Sequence, residues 1–465
     1  GVLNASFGSQ GELSLVANEG NQRRAIALLD SAGDMYLVWD DTRSGVNNIY
    51  ARKFSASGVQ YTTYPGALTT TDASYVTSAS YGQTMSRIVR SSNGTTYVTW
   101  VDRRVDGSTG DIYLKKYLSS GAVDTTFGTQ GELVVSQAVG DQRAPQLALT
   151  TSGDIYIALY DLRNAPTKGY GIFMKKITSS GSIVSSFGTN GEVVIDDNAL
   201  PSSVTDNTLA LAVDSSGAVY IGWHDDPMGI NYDLKIAKFN GTTGVLITSF
   251  GTNGTISVAA TTEMETEPFF TFNTSFTTLS IVYMEAATTS SDSRILLKKY
   301  NTTNGALVTT IGVGGRLLVA GESDARMIPL DTIADSSGNT YVLYEELQSI
   351  PNTGDKHLFV KKVTAGGALD ASFAFGGRLE ITLGAGGNYD GALTMGGNEL
   401  YAVWSEADSS SDTIYRAKKF DALGIFDTTF GANGVLTIAE HNQGGVAVDI
   451  AADTSQTLYA VWDTG

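Results

Sequence analysis

The sequence predicts an all-β chain, an eight-bladed β-propeller of four-stranded antiparallel blades in which one blade is closed by both termini and lacks one strand. Three observations predict it. A repeat of about sixty residues runs the whole length, each copy carries the signatures of four short strands, and helical periodicity is absent.

The second strand of each repeat, strand B, sets the period. It ends on Trp39, Trp100, Trp223, Trp404 and Trp462, each preceded by Tyr three residues earlier, and Tyr160, Tyr283 and Tyr344 fill the place in the other copies. Successive spacings are 61, 60, 63, 60, 61, 60 and 58. An aromatic closing every such strand reads as a wedge between neighbouring blades, because aromatic side chains bury large areas. Strand A precedes it, as in Ala25–Leu29 or Leu209–Val213. The joining turns, Asp30-Ser31-Ala32-Gly33 and Asp335-Ser336-Ser337-Gly338, pair an Asp that bonds its own backbone with a Gly suited to positive φ.

Strand C follows a variable polar loop and carries a Lys-Lys pair, as in Ile112–Tyr117 and Ile295–Tyr300. Thirteen of the fifteen lysines lie there, spread so evenly that no single anion groove can form. Pairing with strand D carboxylates such as Glu12, Glu132 and Glu192 is the expected role, with protection of sheet edges as another. Strand D is introduced by Phe-Gly-x-x-Gly at Phe7, Phe127, Phe187, Phe250 and Phe430, with weaker versions near Tyr64, Ile311 and Phe373. No helix follows these glycines, so the motif is a turn and not a phosphate loop.

Counting gives eight strands A, B and D but seven strands C, and the chain is about 18 residues short of eight full repeats. Residues 1–465 therefore read as one propeller domain whose last blade takes strands A and B from one end and strand D from the other. An open edge there invites another strand. It can come from a longer natural chain or from another copy of the protein, or the opening is simply tolerated.

The 465 residues carry a formal charge of -18 and no cysteine. Disulfides and thiol chemistry are excluded, and nucleic acid is an unsuitable partner because phosphate contacts need clustered cations. No apolar run is long enough for a membrane-spanning segment. A start at Gly1 suggests a mature or trimmed piece of a longer precursor. The acidic, Ser/Thr-rich, cysteine-free composition points to a secreted or cell-surface bacterial protein.

The run Asp335-Ser336-Ser337-Gly338-Asn339-Thr340-Tyr341-Val342 resembles bacterial β-propeller repeat proteins of the D-x-x-G-N-x-Y-V type. The Phe-Gly-x-x-Gly turns resemble the delta-type repeats of bacterial surface proteins. The resemblance covers the whole chain and implies architecture and surface location rather than an activity.

Chemistry is sparse. His224, His357 and His441 occupy unrelated repeat positions without metal-ligand spacing. A carboxylate recurs just after the strand B aromatic: Asp41, Asp102, Asp225, Glu285, Glu346 and Glu406 two residues on, Asp161 and Asp463 one residue on. Arg43, Arg104 and Arg163 follow in the first three copies, and Arg23, Arg143 and Arg326 lie where strand D leads into strand A. The B–C and D–A loops leave the same end of a blade, so these groups share one rim. Such a rim can hydrogen-bond a protein or glycan ligand. Its oxygens could hold a hard cation such as Ca2+, the one cofactor the residues suggest. The competing reading pairs Asp with Arg across adjacent blades to order the loops. The least symmetric candidates are His224-Asp225-Asp226 and the loop holding Asp102, Asp106 and Asp111. The function expected first is a non-enzymatic surface or secreted propeller for binding or assembly, adhesin-like or part of a larger extracellular structure through strand complementation. The alternative is a carbohydrate-active enzyme using paired carboxylates at the propeller face.

Overall fold

The computed structural model describes residues 4–7, 11–13, 22–43, 45–62, 75–77, 81–164, 167–200, 209–225, 232–258, 263–273, 275–286, 292–321, 325–348, 356–382, 390–407, 413–441, 448–453 and 456–462. These form a propeller of antiparallel sheets with no helix among them. Among the described residues there are seven four-stranded blades, where eight blades, one of them lacking a strand, were expected. The last repeat supplies a two-stranded sheet, Val448–Ala452 with Leu458–Trp462, because its described residues contain only strands A and B. Most of the strand D expected from the N-terminus, the weak motif near Tyr64 and the residues around Asp463 lie outside the described residues.

The chain divides into two compact units, Asn4–Ile230 with Lys235–Thr248, and Gly1–Leu3 with Asn231–Leu234 and Ser249–Gly465. In the first, blade 2 shows the pattern: A is Gln83–Arg90, B Thr96–Asp102, C Asp111–Tyr117 and D Glu132–Ser136, hydrogen-bonded in that order. Strand B is buried along its whole length, as expected of a strand covered on both faces.

The sheet faces meet in clusters that each draw on two consecutive blades. Tyr36, Val38, Ile49 and Ala51 of blade 1 pack with Ile88, Trp100 and Tyr113 of blade 2. The opposite face of blade 2, with Tyr97, Leu114 and Phe127, packs on Ile155, Ile157 and Leu159 of blade 3. In the second unit Trp404 of blade 7 packs on Leu343, Leu358 and Val360 of blade 6. The strand B aromatics are therefore wedges between blades.

Phe-Gly-x-x-Gly makes a two-residue hairpin. Thr129 and Glu132 exchange backbone bonds at 2.7 and 3.1 Å around Gln130 and Gly131, whose φ values are 55° and 90°. That is the mirror-image turn suited to strand twist, and it explains Asn190, Asn253 and Asn433 at the same point, since Asn tolerates positive φ. The motif also latches onto the next blade: the N–H groups of Gly188, Gly251 and Ala374 donate to the carbonyls of Thr243, Asn304 and Leu423 at 2.7–2.8 Å.

The Lys-Lys pairs form salt bridges, mostly to turn aspartates such as Asp124, Asp154 and Asp370 rather than to strand D, and they also bind carbonyls of the neighbouring blades. The first lysine reaches back to a strand D carbonyl of the preceding blade: Lys115 to Val76 at 2.5 Å, Lys361 to Val319 at 2.7 Å, Lys418 to Ile381 at 2.6 Å, and Lys298 to Val258. The second reaches forward to the C–D turn of the next: Lys116 to Ser179, Lys176 to Gly241, Lys299 to Ala365 and Lys362 to Ala422, at 2.7–3.0 Å. Of the carboxylates expected to pair with lysine, Glu192 meets Lys175 at 3.5 Å. Glu132 takes Arg104 instead, at 2.7 Å.

Candidate functional site

Each acid at the end of strand B is tied up inside its own blade, not across blades as the pairing reading expected. Asp102 accepts the Trp100 indole N–H at 2.9 Å, the Arg104 backbone N–H at 2.8 Å and its guanidinium at 2.5 Å. Arg104 lies 4.0 Å from the Tyr113 ring centre and bridges on to Glu132. Asp41 with Arg43, and Asp161 with Arg163 and Glu192, repeat the design. Asp225 takes Lys235, Glu285 takes Arg294 and Arg316, Glu346 takes Arg378 at 3.0 Å, and Glu406 takes Arg416 together with the Trp404 indole. The sequence signal was real: in blades 1 to 3 the partner is the arginine two residues on, whereas in blades 4 to 7 the cation comes from strand C or the start of strand D at differing offsets that spacing alone did not reveal. Of the D–A arginines, Arg143 binds Asp141, whereas Arg23 and Arg326 are exposed.

Asp102, Asp106 and Asp111 do not gather around a cation, and among the described residues no three acids or histidines do. Asp106 turns back on its own loop, accepting from the N–H groups of Ser108 and Thr109 and from the Thr109 hydroxyl. These bonds hold its carboxyl below the ordinary range. Asp226 lies outside the described residues. Asp225 pairs with Lys235, and His224 is buried on strand B with its pKa lowered to about 4 by burial.

Neutral in the fold and chargeable when unfolded, His224 removes stability as pH falls from 6.5 through about 4. His224→Gln should flatten that limb of the urea stability profile by about 3 kcal/mol. An unchanged slope in this variant would show that His224 is not the group responsible.

Asp111 differs from the rim acids. It opens strand C directly opposite Asp102, which closes strand B, a register that puts their Cβ atoms about 5 Å apart. Among the described residues it makes no ion pair, and its side-chain partner is the Gln137 amide at 3.4 Å. Burial, with the charges of Asp102 and Asp106 added, raises its pKa to about 6. Asp331 is raised equally, but it is enclosed between strands and caps the Leu393 N–H at 2.8 Å, a structural duty.

Around the Asp102–Asp111 register lie groups that face outward. Tyr81 is 47% exposed and its ring covers Gly107, leaving no room there for a side chain. Arg103 has no ion pair among the described residues, and its charge acts on the buried Tyr170 phenol, which donates to Asp141 at 3.1 Å. Asp141 in turn accepts the Gly110 N–H at 2.7 Å and binds Arg143. One end of blades 2 and 3 thus combines an aromatic face, two guanidinium groups and a carboxyl that titrates near 6. Asp111 stood out in the sequence only as a member of an Asp triplet, and Arg103 and Tyr81 gave no signal of their own.

No family model matches the chain, and no curated protein matches it. Solved structures do. A polysaccharide lyase of family PL25, an ulvan lyase bound to -[GlcA(1-4)Rha3S]-, superposes with a TM-score of 0.50 at 11% identity over 77% of this chain and 84% of that one. The polysaccharide lyase Uly1 gives 0.47 at 10% identity, covering 90% and 92%. The α-L-arabinanase of Penicillium chrysogenum complexed with arabinobiose gives 0.36 at 10%, covering 59% and 77%. At these identities the likeness is one of fold.

Proposed function

We propose that this chain is a secreted or cell-surface carbohydrate-active propeller that cleaves glycosidic bonds in a polysaccharide, with Asp111 as its proton donor. The observation that carries the reading is Asp111 itself: an unpaired carboxyl raised to about 6, set in register against an acid already neutralised by Arg104. Two acids with environments this different take different roles in glycoside chemistry, one giving the proton and the other staying charged. Arg103 and Arg143 suit an acidic sugar, and Tyr81 offers a stacking face. The fold shared with a lyase that binds a uronic-acid polymer supports the substrate class, and the resemblance to bacterial surface repeats supports the location.

A second reading keeps the glycan and drops the catalysis. Asp102 is 0% and Asp111 4% exposed, and every other rim acid described is paired, as a rigid non-enzymatic binding or assembly module would require.

One experiment separates them. The protein is incubated with a panel of neutral, uronic and sulfated polysaccharides while reducing ends and 235 nm absorbance are followed. On the enzyme reading product forms, its rate falls as pH rises through about 6, and Asp111→Asn lowers it by about 100-fold or more. Retention of a polysaccharide without product establishes the binding module. Neither product nor retention overturns both readings.

A further inference from the structure

We propose that a second carbohydrate site, for one neutral pyranose unit, lies at the opposite end of the strands, between the turns of blades 3 and 4 in the first unit. It takes its ligand class from the proposed function but none of its residues. The observation is a cavity of about 360 Å3 bounded by the A–B turns at Thr150–Asp154 and Asp214–Ala218 and by the C–D turn at Asn240–Thr242. That volume lies at the lower end of the range for small-ligand sites.

Elsewhere in the first unit one side chain fills the equivalent space. At the junction of blades 1 and 2, Arg90 ends strand A and lays its guanidinium against Asp30 at 3.3 Å and over Tyr36 at 5.1 Å, close to the Gly94 position. The repeat puts Val213 where Arg90 stands. Thr150, Tyr156 and Gly217, the counterparts of Asp30, Tyr36 and Gly94, all line the cavity.

The walls are held in place. Tyr156 Oη and Lys176 Nζ both donate to the Gly241 carbonyl, at 2.5 and 3.0 Å. A Cβ on Gly241 would stand 1.8 Å from the Gly217 carbonyl oxygen, so only glycine permits this approach.

Charge and polarity select the ligand. Asp154 is paired with Lys176 at 2.9 Å and Asp214 with Lys238 at 4.0 Å. The four charges cancel, leaving nothing to favour an anion. The hydroxyls of Thr151, Ser215 and Thr242 line the opening and make no hydrogen bond among the described residues. Hydroxyls both donate and accept, which suits a polyhydroxylated ring, whereas Tyr156 and Ile247 offer too little apolar surface for an apolar ligand.

Saturation-transfer NMR tests this with the methyl α-pyranosides of glucose, galactose, mannose and rhamnose, and with sodium glucuronate as the charged comparator. The expected result is millimolar binding of at least one neutral glycoside and none of glucuronate. Val213→Arg, which restores the arrangement of the first junction, should weaken it at least tenfold, as should Thr151→Trp at the exposed mouth should the arginine disturb folding. Asp111→Asn should leave it unchanged, so failure of the polysaccharide experiment and failure here are separate results. Silence from all four glycosides, equal binding of glucuronate, or retention of binding in both filled variants would overturn the proposal.

Discussion

Trp100→Ala lowers the unfolding free energy by about 4–5 kcal/mol, the largest loss expected from any single rim-to-core change. Trp100 is fully buried among Tyr36, Val38 and Ile88, and its ring stacks on Tyr113 at 5.8 Å and 18°. Truncating so large a side chain costs about 3–5 kcal/mol because the cavity cannot fully collapse. The loss of the indole N–H adds about 1 kcal/mol, since Asp102 keeps Arg104 and Gln83 but forfeits one donor. Trp100→Phe preserves most of the packing and should cost about 2 kcal/mol. Urea unfolding followed by far-ultraviolet dichroism measures both. A loss below about 1.5 kcal/mol for the alanine variant would mean that the aromatic is not the wedge described.

The second large effect falls on Gly188. A methyl group there would sit 2.2 Å from the Glu192 carbonyl oxygen and 2.7 Å from its carbon, at φ +65°, in the turn whose N–H latches onto Thr243 at 2.8 Å. Backbone atoms on that side cannot move without opening the hairpin. Gly188→Ala should therefore cost at least about 3 kcal/mol, well above the 1–2 kcal/mol of a positive φ alone. Gly153→Ala is the control. Its φ is +88°, but the nearest atom to a new Cβ is the Ser179 Cβ at 3.7 Å, an ordinary contact. It should cost about 1 kcal/mol. Equal losses in the two variants would sink the steric account and leave only backbone conformation.

The period, the strand B aromatics and the Phe-Gly-x-x-Gly hairpin were legible because each depends on residues close together in the chain. A tight turn or a strand-end tryptophan writes its requirement locally. The ion pairs were half legible. Asp102 and Arg104 are neighbours in sequence, whereas Glu285 waits for Arg316 two strands further on and Glu346 for Arg378. The lysine contacts to backbone carbonyls could not be read, because no residue type announces such an acceptor. The cavity beside Tyr156 was legible in principle, as the exchange of Arg90 for Val213 between aligned repeats, but a missing side chain becomes a signal only when its surroundings are seen.

The lysine pairs carry a further consequence. Blades 2, 5 and 6 each hold a carbonyl of the blade before and one of the blade after through two adjacent lysines, so this part of a junction is written inside one repeat. Such a rule tells a blade how to follow and how to be followed, but contains no term for how many there are. A count taken from repeats alone inherits that indifference. The expected eight blades and the seven complete ones among the described residues differ in this unwritten quantity.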